Sequence, residues 1–214
     1  MAGSEQAQQI LKELAGYSKM GEIKKLAKTI KKDHSLALEL WATALYFPRL
    51  LAVLIFDKKQ LSEESINTIA TDLVSHPEDE RNMLSDWLLA NQLTKDKALT
   101  TLLLNWQQSS VALLRHWFWY HQARLRWTGK TPPIDNSAQL LDYLDAHLAD
   151  EEAQVQWAMN FCAGWIGIFE AAHRQRCIEL GERVALYKDE KVSKNCTPSY
   201  LPEFIRIEVG KRGD

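Results

Sequence analysis

Apolar residues recur along this chain with the period of an α-helix nearly from end to end. Ile23, Leu26, Ala27 and Ile30 fall at i, i+3, i+4 and i+7. Leu36, Leu40, Trp41 and Ala44 form a second stripe, followed by Ile66, Ile69, Ala70 and Leu73, then Leu99, Leu102, Leu103 and Trp106, then Leu140, Leu141, Leu144 and Leu148. Such stripes put one face of each helix into a core and leave the other to water. Strand-like alternation is confined to Ile205–Val209, a short piece near the end. Boundary residues agree with short helices. Pro48 suits a first helical turn after Tyr46 and Phe47. Ser62 before Glu63 and Glu64 is an N-cap with acids in the first turn. Pro77 precedes an acidic start, and Asn136 or Ser137 can cap the next helix. The pattern predicts an all-α protein of roughly ten or eleven helices of about 10–18 residues. Paired helices stacked as an α-solenoid account for this, and so does an irregular helical bundle. No motif recurs at a fixed period, so solenoid repeats would be divergent. Residues 1–214 read as a single helical-repeat domain, with an irregular tail from about 187.

Composition narrows the class. With 214 residues and 46% apolar content, the chain can build a full core without staples. The net charge is −2, which excludes a uniformly cationic surface but not a basic stripe. Charge is segregated: Met20–Lys32 holds five lysines against one glutamate, whereas Asp135–Glu152 holds six acids and no Lys or Arg. Lys25, Lys28 and Lys32 fall on one helical stripe that a phosphate backbone could use. The N-terminus lacks the basic-then-apolar pattern of a signal peptide. No apolar run approaches the ~18–20 residues of a membrane span. Cys162, Cys177 and Cys196 make an odd set, best explained as free thiols in a reducing cytoplasm.

Several chemistries find no support. Gly129-Lys130-Thr131 resembles the end of a phosphate loop, but Arg124 stands where the first glycine is needed. His173 and Cys177 share a helical face at i, i+4, yet two ligands do not close a zinc site. Neither a serine nucleophile elbow nor a cysteine with an evident histidine partner occurs. No metal and no cofactor is therefore expected. The run His116–His121 (HWFWYH) points its rings all round a helix, so most of them belong in a core.

Three separated motifs carry a family resemblance. They are IKKLAKTIKKDHSLALELWATALYFPRLLAVLI (Ile23–Ile55), WAMNFCAGWIG, and LYKDEKVSKNCTPSYLPEFI. Together they resemble the AlkD-like DNA alkylation repair family over most of the chain from about Gly21 onward. That resemblance implies a right-handed superhelix of divergent HEAT-like helix pairs whose concave basic face cradles double-stranded DNA. It also implies a monomeric glycosylase that releases cationic N3- and N7-alkylated purines without drawing the damaged base into a tight pocket.

The chemistry of that reaction explains which residue types matter. The alkylated purine is already a cationic leaving group, and its departure leaves positive charge on the deoxyribose. A nearby carboxylate stabilises that charge and orients water. Aromatic faces add to the effect through their quadrupole, and an arginine holds the adjacent phosphate. By resemblance the carboxylate is Asp86, in SDWLLANQL, and the phosphate-holding arginine is Arg115, in ALLRHWFW. Asn82 occupies the family's first aromatic position, one turn before Asp86; a different gap places His76 there. Phe161 occupies the second aromatic position, and Gly164 stands where an arginine often follows. Arg49, in FPRLLA, matches a family arginine and joins Lys25, Lys28 and Lys32 as a backbone contact. The alternative is a non-catalytic relative that binds DNA or a protein through the same face; the acidic Asp135–Glu152 stretch would suit a basic partner.

Overall fold

The computed structural model describes residues 3–128 and 135–213. All regular structure among them is helical, in twelve α-helices and two single 3₁₀ turns. The chain divides into two compact units, residues 1–105 and 106–214.

The first unit contains α1 (Glu5–Leu14), α2 (Met20–Ile30), α3 (His34–Trp41), α4 (Tyr46–Ile55), α5 (Glu63–Leu73), α6 (Glu78–Asn91) and α7 (Lys97–Leu103). Helix α4 lies at its centre, packed by α2, α3 and α6. Its sequence YFPRLLAVLI is apolar on nearly every side, and Leu50, Leu51, Ala52, Val53 and Ile55 are fully buried. A helix without a polar face has to sit inside the unit. The surrounding helices are amphipathic, and Ser62 caps α5 as the sequence predicts. Ser62 accepts from the Ser65 amide at 3.1 Å to start α5. Asp33 accepts from the Leu36 amide at 3.0 Å to start α3. Pro77 precedes α6, whose first turn holds Glu78, Asp79 and Glu80. The Ser62 and Asp33 side chains each satisfy an amide that the helix itself leaves open.

The second unit contains α8 (Ala112–Trp127), α9 (Ser137–His147), α10 (Ala153–Phe169), α11 (Ala171–Val184) and α12 (Leu201–Arg212). Helices α8 and α10 pack along one another, and α11 and α12 close over α10. The predicted tail is irregular only to Tyr200, and Ile205–Val209 is helical, not extended. Pro202 sits in the first turn of α12, where its fixed φ favours a helix. Tertiary packing does the rest. Leu201, Phe204 and Ile205 descend onto Gly164, Gly167 and Gly181. A Cβ at Gly164 would lie 2.6 Å from the Phe204 ring, and one at Gly181 would lie 2.7 Å from both Leu201 Cβ and Pro202 Cδ. The three glycines form a notch that lets α12 approach the backbones of α10 and α11. An arginine at position 164 would fill that notch, which explains the glycine there. Gly129-Lys130-Thr131 lies outside the described residues. No described helix is long and apolar enough to cross a membrane.

Candidate DNA-facing residues

Asp86 lies on α6, exposed, and among the described residues its carboxylate has neither a hydrogen bond nor an ion pair. Partial burial of the carboxyl raises its pKa above the ordinary aspartate value, with no neighbouring charge to offset the effect. Asn82, one turn earlier on the same face, is also exposed and unpartnered. These two residues therefore present a carboxylate and a carboxamide side by side. His76, the other contender for the first aromatic position, is 7% exposed, and its Nδ1 lies 2.7 Å from Glu80 Oε2. A ring so placed offers no open face, so Asn82 is the residue that shares Asp86's surface. Trp87 is half-buried, and Lys24 Nζ lies 5.0 Å from its ring centroid.

The basic edge expected of the first unit is shorter than the sequence suggests. Lys25 and Lys28 are exposed on α2. Lys32 leaves their stripe because α2 ends at Ile30 and Lys31 takes φ 67°. Its ammonium lies 3.3 Å from Asp57. Arg49 departs further from expectation. It is 4% exposed. Its Nε donates to the Trp41 carbonyl at 3.0 Å and its Nη1 to the Asp72 carbonyl at 3.0 Å. The guanidinium also lies over the Trp41 ring, 4.7 Å from the centroid, while Trp41 Nε1 donates to Asp72 Oδ2 at 2.8 Å. Arg49 thus ties together carbonyls at the C-terminal ends of α3 and α5, where helix dipoles favour a cation. It is an internal cross-link and does not face solvent as a backbone contact would.

In the second unit Arg115 is already fully occupied. Its Nε and Nη2 donate to the two oxygens of Glu151 at 3.0 and 2.7 Å, Nη1 donates to the Ser109 carbonyl at 2.7 Å, and Nη2 reaches Glu152 at 3.0 Å. This two-pronged geometry is the one a guanidinium uses on a phosphate. The bonds to Glu151 raise the Arg115 pKa. Burial pushes Glu151 upward, and Arg115 more than offsets it, leaving the carboxyl below its usual range. Asp142, Asp145, Glu151 and Glu152 of the acidic stretch thus already hold arginines of this chain. Asp142 and Asp145 hold Arg176 at 2.6 and 2.5 Å, and Asp145 also holds Arg183 at 2.7 Å.

Phe161 is half-buried on α10 within a file of rings that the sequence reading missed. Trp157, Phe161, Trp165 and Phe169 recur every fourth residue along α10. Trp157 stacks on Phe161 at 5.0 Å and 15°, and Trp165 stacks on Phe169 at 5.6 Å and 20°. From α8, Tyr120 stacks on Phe161 at 5.9 Å, and His116 lies parallel to Trp157 at 6.1 Å. The spacing i, i+4, i+8, i+12 was visible in the chain as a one-sided aromatic stripe. A recess of about 200 Å³ opens beside it, walled by Trp157, Asn160, Phe161, Ser199 and Phe204, with Thr197 and Pro198.

Other reactive groups do not gather into a centre. Burial pushes the Cys162 and Cys177 thiols up to about 12, which leaves them protonated and poor nucleophiles. Burial lowers His121 to about 4. Among the described residues no three His, Cys, Asp or Glu side chains stand together to hold a metal ion.

The fold and this set of side chains place the protein among helical-repeat proteins. Its fold is like that of a solved structure representing a family related to the HEAT-like repeat DNA glycosylases, described as having affinity for branched DNA structures. The two share 21% identity, with 98% of this chain and 90% of the other aligned at a TM-score of 0.68. Residues 6–167 match the sequence profile of the DNA alkylation repair enzyme family, and the chain belongs to that family. Among curated proteins no sequence match is found.

Proposed function

We propose that this protein binds double-stranded DNA and excises N3- and N7-alkylated purines, with Asp86 as the catalytic carboxylate. The observation that carries this reading is the state of Asp86: exposed, unpaired, and held partly out of water. A structural aspartate is ordinarily engaged in a cap or an ion pair, as Asp33 and Asp145 are here. Family membership supports a DNA ligand. The exposed lysines Lys25 and Lys28 supply sequence-independent affinity for its phosphates.

In the proposed reaction the glycosidic electron pair leaves with the cationic purine, which departs neutral. The positive charge that develops on the deoxyribose is stabilised by Asp86. Water adds to the sugar carbon, and its proton passes through Asp86 to solvent. Asn82 contributes a hydrogen-bonding amide where an aromatic face would contribute a quadrupole. That exchange forgoes roughly 0.5–2 kcal/mol of cation stabilisation.

A second reading, DNA binding without excision, is favoured by Arg115. An arginine bonded to both oxygens of Glu151 has to release them before it can take a phosphate. Base release from DNA containing N7-methylguanine separates the two readings. Excision by wild type and its loss in Asp86→Asn are expected. Salt-sensitive duplex binding with no free base from the wild type would establish the second reading. Equal release by both proteins would remove Asp86 from the mechanism.

A further inference from the structure

We infer that the recess beside Trp157 is a binding site for an unpaired nucleobase, so that the preferred ligand is duplex DNA with a single-stranded arm. This rests on the reading that the protein binds DNA and adds which part of the DNA this unit takes.

Shape comes first. Clefts for drug-sized ligands run to about 300–1,000 Å³. A space of about 200 Å³ suits one planar ring system. One wall is Trp157, 38% exposed, whose ring is held flat by Phe161 at 5.0 Å and by His116 at 6.1 Å. A tryptophan fixed in plane with exposed ring surface is a stacking platform, because every base has a π-face to lay on it.

Polarity comes next. Asn160 Nδ2 donates to the Ser199 carbonyl at 2.8 Å, which fixes the amide. Its Oδ1 has no partner among the described residues. The recess therefore offers an oriented acceptor to the amino or imino edge of a base. Charged groups surround the recess in balanced number. Thr197, on the rim, accepts from Lys211 Nζ at 3.0 Å. Lys211 and Arg212 share the carboxylate of Glu208, each at 2.7 Å, and a second carboxylate, that of Glu190, accepts from the Ser199 amide on the recess wall at 3.1 Å. A base paired inside a duplex cannot enter the recess, since both its faces and its polar edge are occupied.

The test compares a blunt duplex with the same duplex carrying a short oligothymidine arm, using wild type, Trp157→Ala and Trp157→Phe. Trp157 is exposed, and thermal melting checks that the variants stay folded. Wild type should bind the armed duplex more tightly by about fivefold to a hundredfold, the range for one base stacked on an aromatic ring. Trp157→Ala should lose that gain and keep its blunt-duplex affinity, whereas Trp157→Phe should keep most of it. A fluorescent purine analogue at the first unpaired position should be quenched by wild type and not by Trp157→Ala. Equal binding of both ligands by wild type, or an undiminished preference in Trp157→Ala, would overturn the site while leaving duplex binding intact. Failure to bind either ligand would overturn the DNA reading itself.

Discussion

Asp86 and Arg115 are the two residues to which the family resemblance points, yet the two units treat them in opposite ways. In the first unit the carboxylate stands exposed with no partner. In the second the guanidinium is bonded to Glu151, Glu152 and Ser109. A carboxylate left free keeps its charge available to a developing cation. An arginine paired with a carboxylate has its charge cancelled and its fork filled, so a phosphate must compete for it. Motif position identifies a residue, but only its neighbours decide whether its charge can be used.

The two arginines, Arg49 and Arg115, extend the comparison and give the largest expected effect. Arg49 is buried, bonded to two helix-end carbonyls and stacked on Trp41. Its removal strands those acceptors and leaves Asp72 without its nearest cation. Arg49→Ala should cost about 2–4 kcal/mol in chemical denaturation. Arg115 lies nearer to solvent, at 13% side-chain exposure, and Arg115→Ala should cost only about 1–2 kcal/mol. Equal losses would mean that the two arginines serve the same structural purpose.

Next in size is the notch under α12. Leu201 Cβ and Pro202 Cδ cannot rotate away from a Cβ at position 181, because both are fixed to the backbone. Gly181→Ala should therefore push α12 outward and cost about 1–3 kcal/mol. Phe204 would move with α12, so the recess beside Trp157 should lose its arm-binding preference in parallel. Lys25 and Lys28 belong to the other unit, and duplex affinity should stay put. A Gly181→Ala protein as stable as wild type would show that α12 is not clamped by the glycines.

Much of this fold is legible in the chain because helical periodicity and capping are local. The stripes at Ile66–Leu73 and Leu140–Leu144 are buried as written, and Ser62 caps α5. What the sequence hides is non-local. Helix α12 has weak amphipathic character of its own, and its packing partners are glycines some twenty and more residues away, so Ile205–Val209 resembles a strand until that packing is seen. The pairing of Arg115 with Glu151 spans thirty-six residues and leaves no local trace. Arg49 reads as a backbone contact because it matches a family arginine, and only the C-terminal ends of α3 and α5 reveal its use. The aromatic stripe on α10 differs from these. Its four-residue spacing is local and legible in the chain, beside the denser run at His116–His121.

Glu151 supplies the next test. If its carboxylate occupies Arg115 as a phosphate would, Glu151→Gln should release the fork. Duplex affinity should then rise several-fold. The slope of log affinity against log salt should steepen by about 0.9, the mark of one more phosphate contact. Unchanged affinity and slope would show that Arg115 does not face DNA, with or without its acidic partner.

The smallest effect, on Asp86, is the most discriminating. Partial desolvation raises its pKa, so the folded protein holds this proton more tightly than the unfolded chain does. Ionised Asp86 therefore costs stability at every pH above its folded value, and the cost fades as pH falls below that of an ordinary aspartate. Asp86→Asn should be slightly more stable than wild type at neutral pH, by less than about 0.5 kcal/mol because an exposed group is screened. That margin should close in acid, as thermal melts across the range would show. A catalytic carboxylate has this signature: the variant gains stability while it loses base release, since the fold is relieved of a charge that only the reaction requires. A variant less stable than wild type at neutral pH would instead make Asp86 a structural partner, and the difference between the two units would then be one of packing alone.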